Sequence, residues 1–189
     1  MVTKLSADEV SRYQKDGVVA PVSVMSAAVA NELRCRLESA EKCFPQQIGP
    51  EKRNNAHYVL RCLDEIVHHD EILDAVECLI GPDIILTNTV LFIKEPNSLH
   101  HVTYHQDATY MGLEPQESLT AWIALTESTR KNGCVRMIQG SHLLDIQQHI
   151  DTFGEDNILT RGQEIENIDE ERALDIELEP GQMSLHHAR

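Results

Sequence analysis

Positions 104–110 read Tyr-His-Gln-Asp-Ala-Thr-Tyr, a stretch with no helical period and no glycine. His105 and Asp107 stand two residues apart in it. On a β-strand, residues i and i+2 project to the same face, so an imidazole and a carboxylate would lie side by side while Gln106 points away. A pair of this kind presents two ligands to one metal ion, or it forms an ordinary ion pair. A second histidine pair, His186-His187, sits in a strand-like run near the other end of the chain. Two histidines and one carboxylate on one face leave three coordination positions open. That arrangement suits a non-haem Fe(II) that takes a co-substrate and O2 together. Nucleophilic and phosphate-binding alternatives lack their elements: there is no G-x-S-x-G, no P-loop and no G-x-G-x-x-G.

The elements that would position these residues divide the chain in two. Residues 1–80 or so read as a helical layer. Ser6 with Glu9 is a capping-box start for a helix that stops near Gly17, and Ser26 caps a longer helix with Val29, Leu33 and Leu37 on one stripe. Pro45 through Asn55 reads as a loop. A third helix runs through "CLDEIVHHDEILDAVECLI" to Gly81-Pro82, carrying His68 and His69 towards solvent. After Pro82 the pattern turns to strand: "DIILTNTVLFIKE", "SLTAWIALT", "GCVRMIQGS", "ALDIELEP" and "QMSLHHA", with turns at Asn132-Gly133, Gly140-Ser141 and Pro180-Gly181. A long acidic stretch, about residues 143–172, interrupts them, and loops of that length are usually functional. Several short strands behind a helical preface make the chain mainly β, a sandwich or jelly roll with helices outside.

The length of 189 residues suits a single domain, 1–189, with a sizeable core. Lys+Arg number 16 against Asp+Glu 31, a net charge of −15, and no basic stripe is present for a nucleic acid. No apolar run is long enough for a membrane span, and the amino terminus does not read as a signal peptide. Five cysteines without a C-x-x-C spacing fit free thiols, so the expected location is the cytoplasm.

In order along the chain come "FIKEPNSLHHVTYHQDATYMGL", "LTAWIALTESTRKNGCVRMIQGSH", "NILTRGQEI" and "LEPGQMSLHHAR". Together with the opening "LSADEVSRYQKDGVV" and "HHDEILDAVECLIGPDI", this series resembles the phytanoyl-CoA dioxygenase family. That family is a branch of the Fe(II)/2-oxoglutarate-dependent oxygenases. The resemblance implies a cupin-like double-stranded β-helix with a helical amino-terminal layer. It implies His105 and Asp107 as the first two iron ligands, with Trp122 lining the 2-oxoglutarate pocket and Val90 a pocket position one strand earlier. His57, in "NNAHYVL", matches a basic 2-oxoglutarate contact near the helical layer. The expected reaction is hydroxylation of a small organic substrate by O2, with 2-oxoglutarate decarboxylated to succinate. Related halogenases replace the carboxylate ligand by a small residue, and Asp107 keeps it, which favours hydroxylation.

In the family pattern the third iron ligand is the histidine of an H-G-S element a few residues beyond "SLHH", followed by an arginine for 2-oxoglutarate. The chain stops at Arg189, ahead of both, so the expectation is an incomplete iron site with the last strand or strands of the β-helix missing. His187 matches an earlier histidine of the family that supports the ligands rather than joining them. His186 and His187 both remain alternatives for a substitute ligand, at the cost of a register shift. Two other readings compete: a cupin-like protein holding a different metal, and a binding module without catalysis. The surface is too acidic for a CoA thioester at its mouth.

Overall fold

The computed structural model describes residues 4–48, 54–114, 117–152, 156–159 and 163–189. Helix α1 (Ala7–Asp16) begins as the sequence predicts. The Ser6 hydroxyl accepts from the Glu9 amide at 3.3 Å, and the Glu9 carboxylate accepts from the Ser6 amide at 2.8 Å. It ends at Gly17, whose φ of 79° is left-handed and returns an amide to the Tyr13 carbonyl. The chain then enters β1 (Val18–Ser23), a strand that the helical reading of this half overlooked. Its Pro21 lacks a ladder donor, which an edge strand tolerates, and β1 is an edge strand. Helix α2 (Ala27–Cys43) is capped by Ser26 and buries Ala30, Leu33 and Leu37. Val29, expected on that stripe, is 42% exposed.

The loop expected from Pro45 opens with a single helical turn, α3 (Pro45–Ile48), and residues 49–53 lie outside the described residues. The third predicted helix is two helices, α4 (Arg61–Val67) and α5 (Asp70–Ile80), broken at His68-His69. The reason is phase. At 100° per residue, the buried stripe Cys62–Leu63–Ile66 and the stripe Ile72–Ala75–Val76 would point roughly 130° apart on one continuous helix. The break, with His69 extended at φ −70° and ψ 120°, turns both stripes into the same core. His68 is exposed as expected, while His69 is half-buried.

Beyond Gly81 the segment expected to be a strand, 83–95, forms no ladder among the described residues. One isolated bridge joins Val90 to Asn54. Ile85, Leu86, Val90 and Phe92 are between 41% and 85% exposed. His105 and Asp107 are not on a strand either: Asp107 sits at φ −57° and ψ −32°, leading into the short helix α6 (Ala108–Met111). The remaining strands are β2 (Leu119–Ile123), β3 (Val135–Ile138), β4 (Ile150–Asp151), β5 (Gln163–Glu164), β6 (Ala173–Ile176) and β7 (Gln182–His187). The sequence placed β2, β3, β6 and β7 in the right runs. Among the described residues the acidic stretch contributes the two-residue pair β4–β5 and a 3-10 turn at Glu170–Arg172, and its residues 153–155 and 160–162 lie outside the described residues.

The central sheet has the order β1-β7-β2, antiparallel throughout, and a second pair joins β3 to β6. β7 is buried on both faces. Met183 and Leu185, fully buried, pack with Val19, Val22 and the helices in the main core. Ser184 and His186 face the other side, registered opposite Trp122 and Thr120 of β2. There Trp122 packs against a smaller cluster of Val18, Ala124, Ile176 and Leu178. The sheet therefore separates a helix-covered core from a second face, and this second face carries the residues with chemistry.

Candidate metal centre

Although the strand that would have aligned His105 with Asp107 is absent, the two side chains meet. The turn into α6 brings His105 Nε2 to 3.1 Å from Asp107 Oδ1. Each side chain is held from a second direction. His105 Nδ1 donates to the Thr103 carbonyl at 2.8 Å, and Thr120 Oγ1 donates to Asp107 Oδ2 at 3.0 Å. Both residues are mostly buried, with side chains 20% and 29% exposed. Burial alone would lower the His105 pKa, but the bonds to Asp107 and to the Thr103 carbonyl outweigh it, and the net shift is upward. Burial would likewise raise the Asp107 pKa, yet His105, His186 and Thr120 overcome it and the net shift is downward. Both shifts favour the charged pair, in which a protonated Nε2 donates to the Asp107 carboxylate.

Thr103 fixes which ring nitrogen is available. With Nδ1 committed to a carbonyl, Nε2 is the nitrogen that can ligate once its proton leaves. Two donors on one ion with bonds of about 2.1 Å at right angles lie about 3 Å apart, so the 3.1 Å spacing fits two adjacent corners of one coordination sphere. Among the described residues no third histidine, cysteine or carboxylate joins them.

The two candidate substitutes part company at β7. His186 faces the side of the sheet that carries Thr120, and its Nδ1 lies 3.4 Å from Ser184 Oγ. Burial pushes its pKa down to about 4, with partial compensation from the Asp107 carboxylate. His187 faces away, its ring among Tyr13 and His142, and burial pushes it down to about 4 as well. Neither completes a three-ligand set with His105 and Asp107.

The other expected site residues fall into two places. Trp122 shares the face of Thr120, two residues along β2, and so lies on the side of the sheet where Thr120 meets Asp107. His57 and Val90 lie on two segments joined by the His57–Thr89 contact and the Asn54–Val90 bridge. His57 is buried with Nδ1 2.7 Å from Thr89 Oγ1, its ring 4.1 Å from that of Tyr58, and Val90 bridges to Asn54. Val90 is 41% exposed, and His57 lines a groove with Tyr58, Arg61, Asp64 and Leu86. Thr103 and Thr120 were missed by the sequence reading. Thr120 carried a signal, since it shares the face of Trp122 by strand period, whereas the Thr103 contact is made by a carbonyl that any residue supplies.

The acidic stretch wraps the opposite side of the His105–Asp107 element. The Gln106 side chain, 4% exposed, accepts from the Gln147 amide at 2.7 Å, and the Gln106 amide donates to His149 Nε2 at 3.0 Å. Thr103 Oγ1 donates to the Gln163 carbonyl at 2.7 Å, and the Ile165 amide to the Tyr104 carbonyl at 2.8 Å.

This fold is the cupin-like fold of non-haem oxygenases. The apo structure of the non-heme monooxygenase ThoJ superposes with a TM-score of 0.83 at 36% identity, covering 96% of this chain and 68% of that one. The family model "Phytanoyl-CoA dioxygenase (PhyH)" matches residues 13–189, and the chain belongs to that family. Peroxisomal phytanoyl-CoA dioxygenase of Bos taurus is 37% identical over 83 residues, 42% of this chain and 25% of that protein. A probable alpha-ketoglutarate-dependent hypophosphite dioxygenase of Stutzerimonas stutzeri is 27% identical over 137 residues, 71% of this chain and 48% of its own length. The matches thus span between a quarter and a half of these two relatives. Among the described residues no helix is long and apolar enough to cross a membrane.

Proposed function

We propose that the chain is the iron-binding part of an Fe(II)/2-oxoglutarate-dependent dioxygenase that hydroxylates a small organic molecule while 2-oxoglutarate is decarboxylated to succinate. The observation that carries this reading is the 3.1 Å spacing of His105 Nε2 and Asp107 Oδ1 in a chain of this family. When bound, iron and 2-oxoglutarate supply the O2 chemistry that no side chain can. His105 and Asp107 would hold the ion. His105 gives up the Nε2 proton on ligation, so binding strengthens as pH rises. Thr103 keeps the imidazole in the required tautomer, and Trp122 would wall the co-substrate pocket and exclude water from it. His57 and Val90 are the further residues we assign to 2-oxoglutarate, with Thr89 orienting the His57 ring. The fold we assign is a double-stranded β-helix of which the described strands form part, with the third iron ligand outside the described residues.

The test is an anaerobic Fe(II) titration of the wild type, H105A and D107A, followed by assay of succinate formed from 2-oxoglutarate. Both variants should lose at least tenfold in affinity, with succinate yield falling in step. Equal iron binding by all three would end the assignment of the ligands, and tight binding without succinate would favour a binding module.

A further inference from the structure

Asp107 has two carboxylate oxygens, and the structure treats them differently. Oδ1 faces His105 Nε2, while Oδ2 accepts the Thr120 hydroxyl at 3.0 Å. The carboxylate makes no capping bond to α6, although Asp107 stands directly before it, so these two contacts set its orientation. Thr120 is well suited to the task. Its branched side chain has few rotamers, and its backbone is fixed in β2 opposite His186 of the doubly buried strand β7. We infer that Thr120 is a positioning residue that occupies Asp107 Oδ2, so that Asp107 offers a metal ion one oxygen rather than two. A carboxylate that chelated with both oxygens would take an extra coordination position, and a site that admits a co-substrate and O2 needs that position open. This inference rests on the assignment of His105 and Asp107 as ligands.

The hydroxyl can be separated from the rest of the side chain. T120V keeps the branched shape and strand preference but removes the donor, and T120S keeps the donor without the methyl group. The probe is Co(II), titrated into each protein under anaerobic conditions, with affinity and the visible d–d absorption both recorded. T120V loses the contact that orients the carboxylate, which should weaken Co(II) binding at least tenfold even as the freed Oδ2 comes within reach of the ion. Its d–d bands should be weaker per bound ion, as a higher coordination number requires. T120S should stay within about threefold of wild type in affinity with an unchanged spectrum. Far-UV circular dichroism and the thermal midpoint confirm that each variant is folded, and T120A carries the comparison should T120V fail to fold. T120V with wild-type affinity and spectrum overturns the inference. Equal losses in T120S and T120V overturn it too, because they would assign the effect to packing. Wild-type Co(II) binding by D107A instead overturns the ligand assignment beneath it, a different result in a different variant.

Discussion

The Ala108 amide donates to the Ala188 carbonyl at 2.8 Å, joining the first residue after Asp107 to the end of β7. The bond ties the turn that carries the Asp107 carboxylate to a strand buried on both faces. Its geometry is set from the other side by the His187 amide, which donates to the Gly17 carbonyl at 2.9 Å.

Replacing Ala108 by proline removes that donor and disfavours the helical backbone that Asp107 adopts. A108P should lose at least tenfold in Co(II) affinity and about 1–3 kcal/mol of stability. Isothermal titration and urea unfolding measure the two. Retained affinity at reduced stability would show that the turn does not depend on this bond.

Leu185 is fully buried in the main core, between Val19 of β1 and Ala121 of β2. L185A leaves a cavity at the centre of the sheet and should cost about 2–5 kcal/mol in urea unfolding. A cost under 1 kcal/mol would mean that the helical layer collapses into the space.

Gly181 has a φ of 89°, and a Cβ there would run into the Met25 carbonyl, which is backbone and cannot swing aside. Its own carbonyl accepts from the Val24 and Met25 amides at 3.1 Å each. G181A should therefore destabilise by about 2 kcal/mol or more. An unchanged unfolding midpoint would contradict the packing of this turn on the β1–α2 connection.

Acid should weaken the fold through β7. Burial holds His186 and His187 near a pKa of about 4, while the unfolded chain protonates them from the ordinary 6.5. Between those values the unfolded state binds more protons, so stability falls as pH drops from about 6.5 towards 4. His105 behaves oppositely, its contribution being present below 6.5 and lost as pH rises through its raised pKa, so it adds no slope in this window. Asp107, with a lowered pKa, loses its contribution only as pH falls below the ordinary 3.8. The urea midpoint at pH 5 should lie below that at pH 7, and H186Q with H187Q should flatten the difference. Identical midpoints for the wild type would refute the burial of these rings.

The local rules made several elements legible. The Ser6–Glu9 box fixes the start of α1, and the runs around Trp122 and Leu185 fall on real strands because their neighbours bury them. The His105–Asp107 pair was legible as a pair, but for a reason that did not apply: the two meet through a turn rather than a strand face. β1 was hidden because Pro21 lowers the strand propensity and the adjacent buried Val18 and Val19 break the alternation, and pairing with β7, over 150 residues away, makes the segment a strand. The break at His68-His69 follows from the direction of the core, which a single-helix pattern does not encode. Thr120 took on its importance only when β2 was seen against α6, since a hydroxyl on a strand looks the same whether or not a carboxylate waits beside it.

β7 acts as a party wall between two households. Residues 183 and 185 serve the core, and 184 and 186 serve the face that carries Thr120 and Trp122. A slip of one residue would put His187 opposite Thr120 and drive a histidine into the apolar interior at the same stroke. Stability and chemistry are thus locked to one register. A mutation that improves the site by moving this strand, or β2 which packs on the same core, has to rebuild that core with it, whereas change in the acidic wrap is free of that toll.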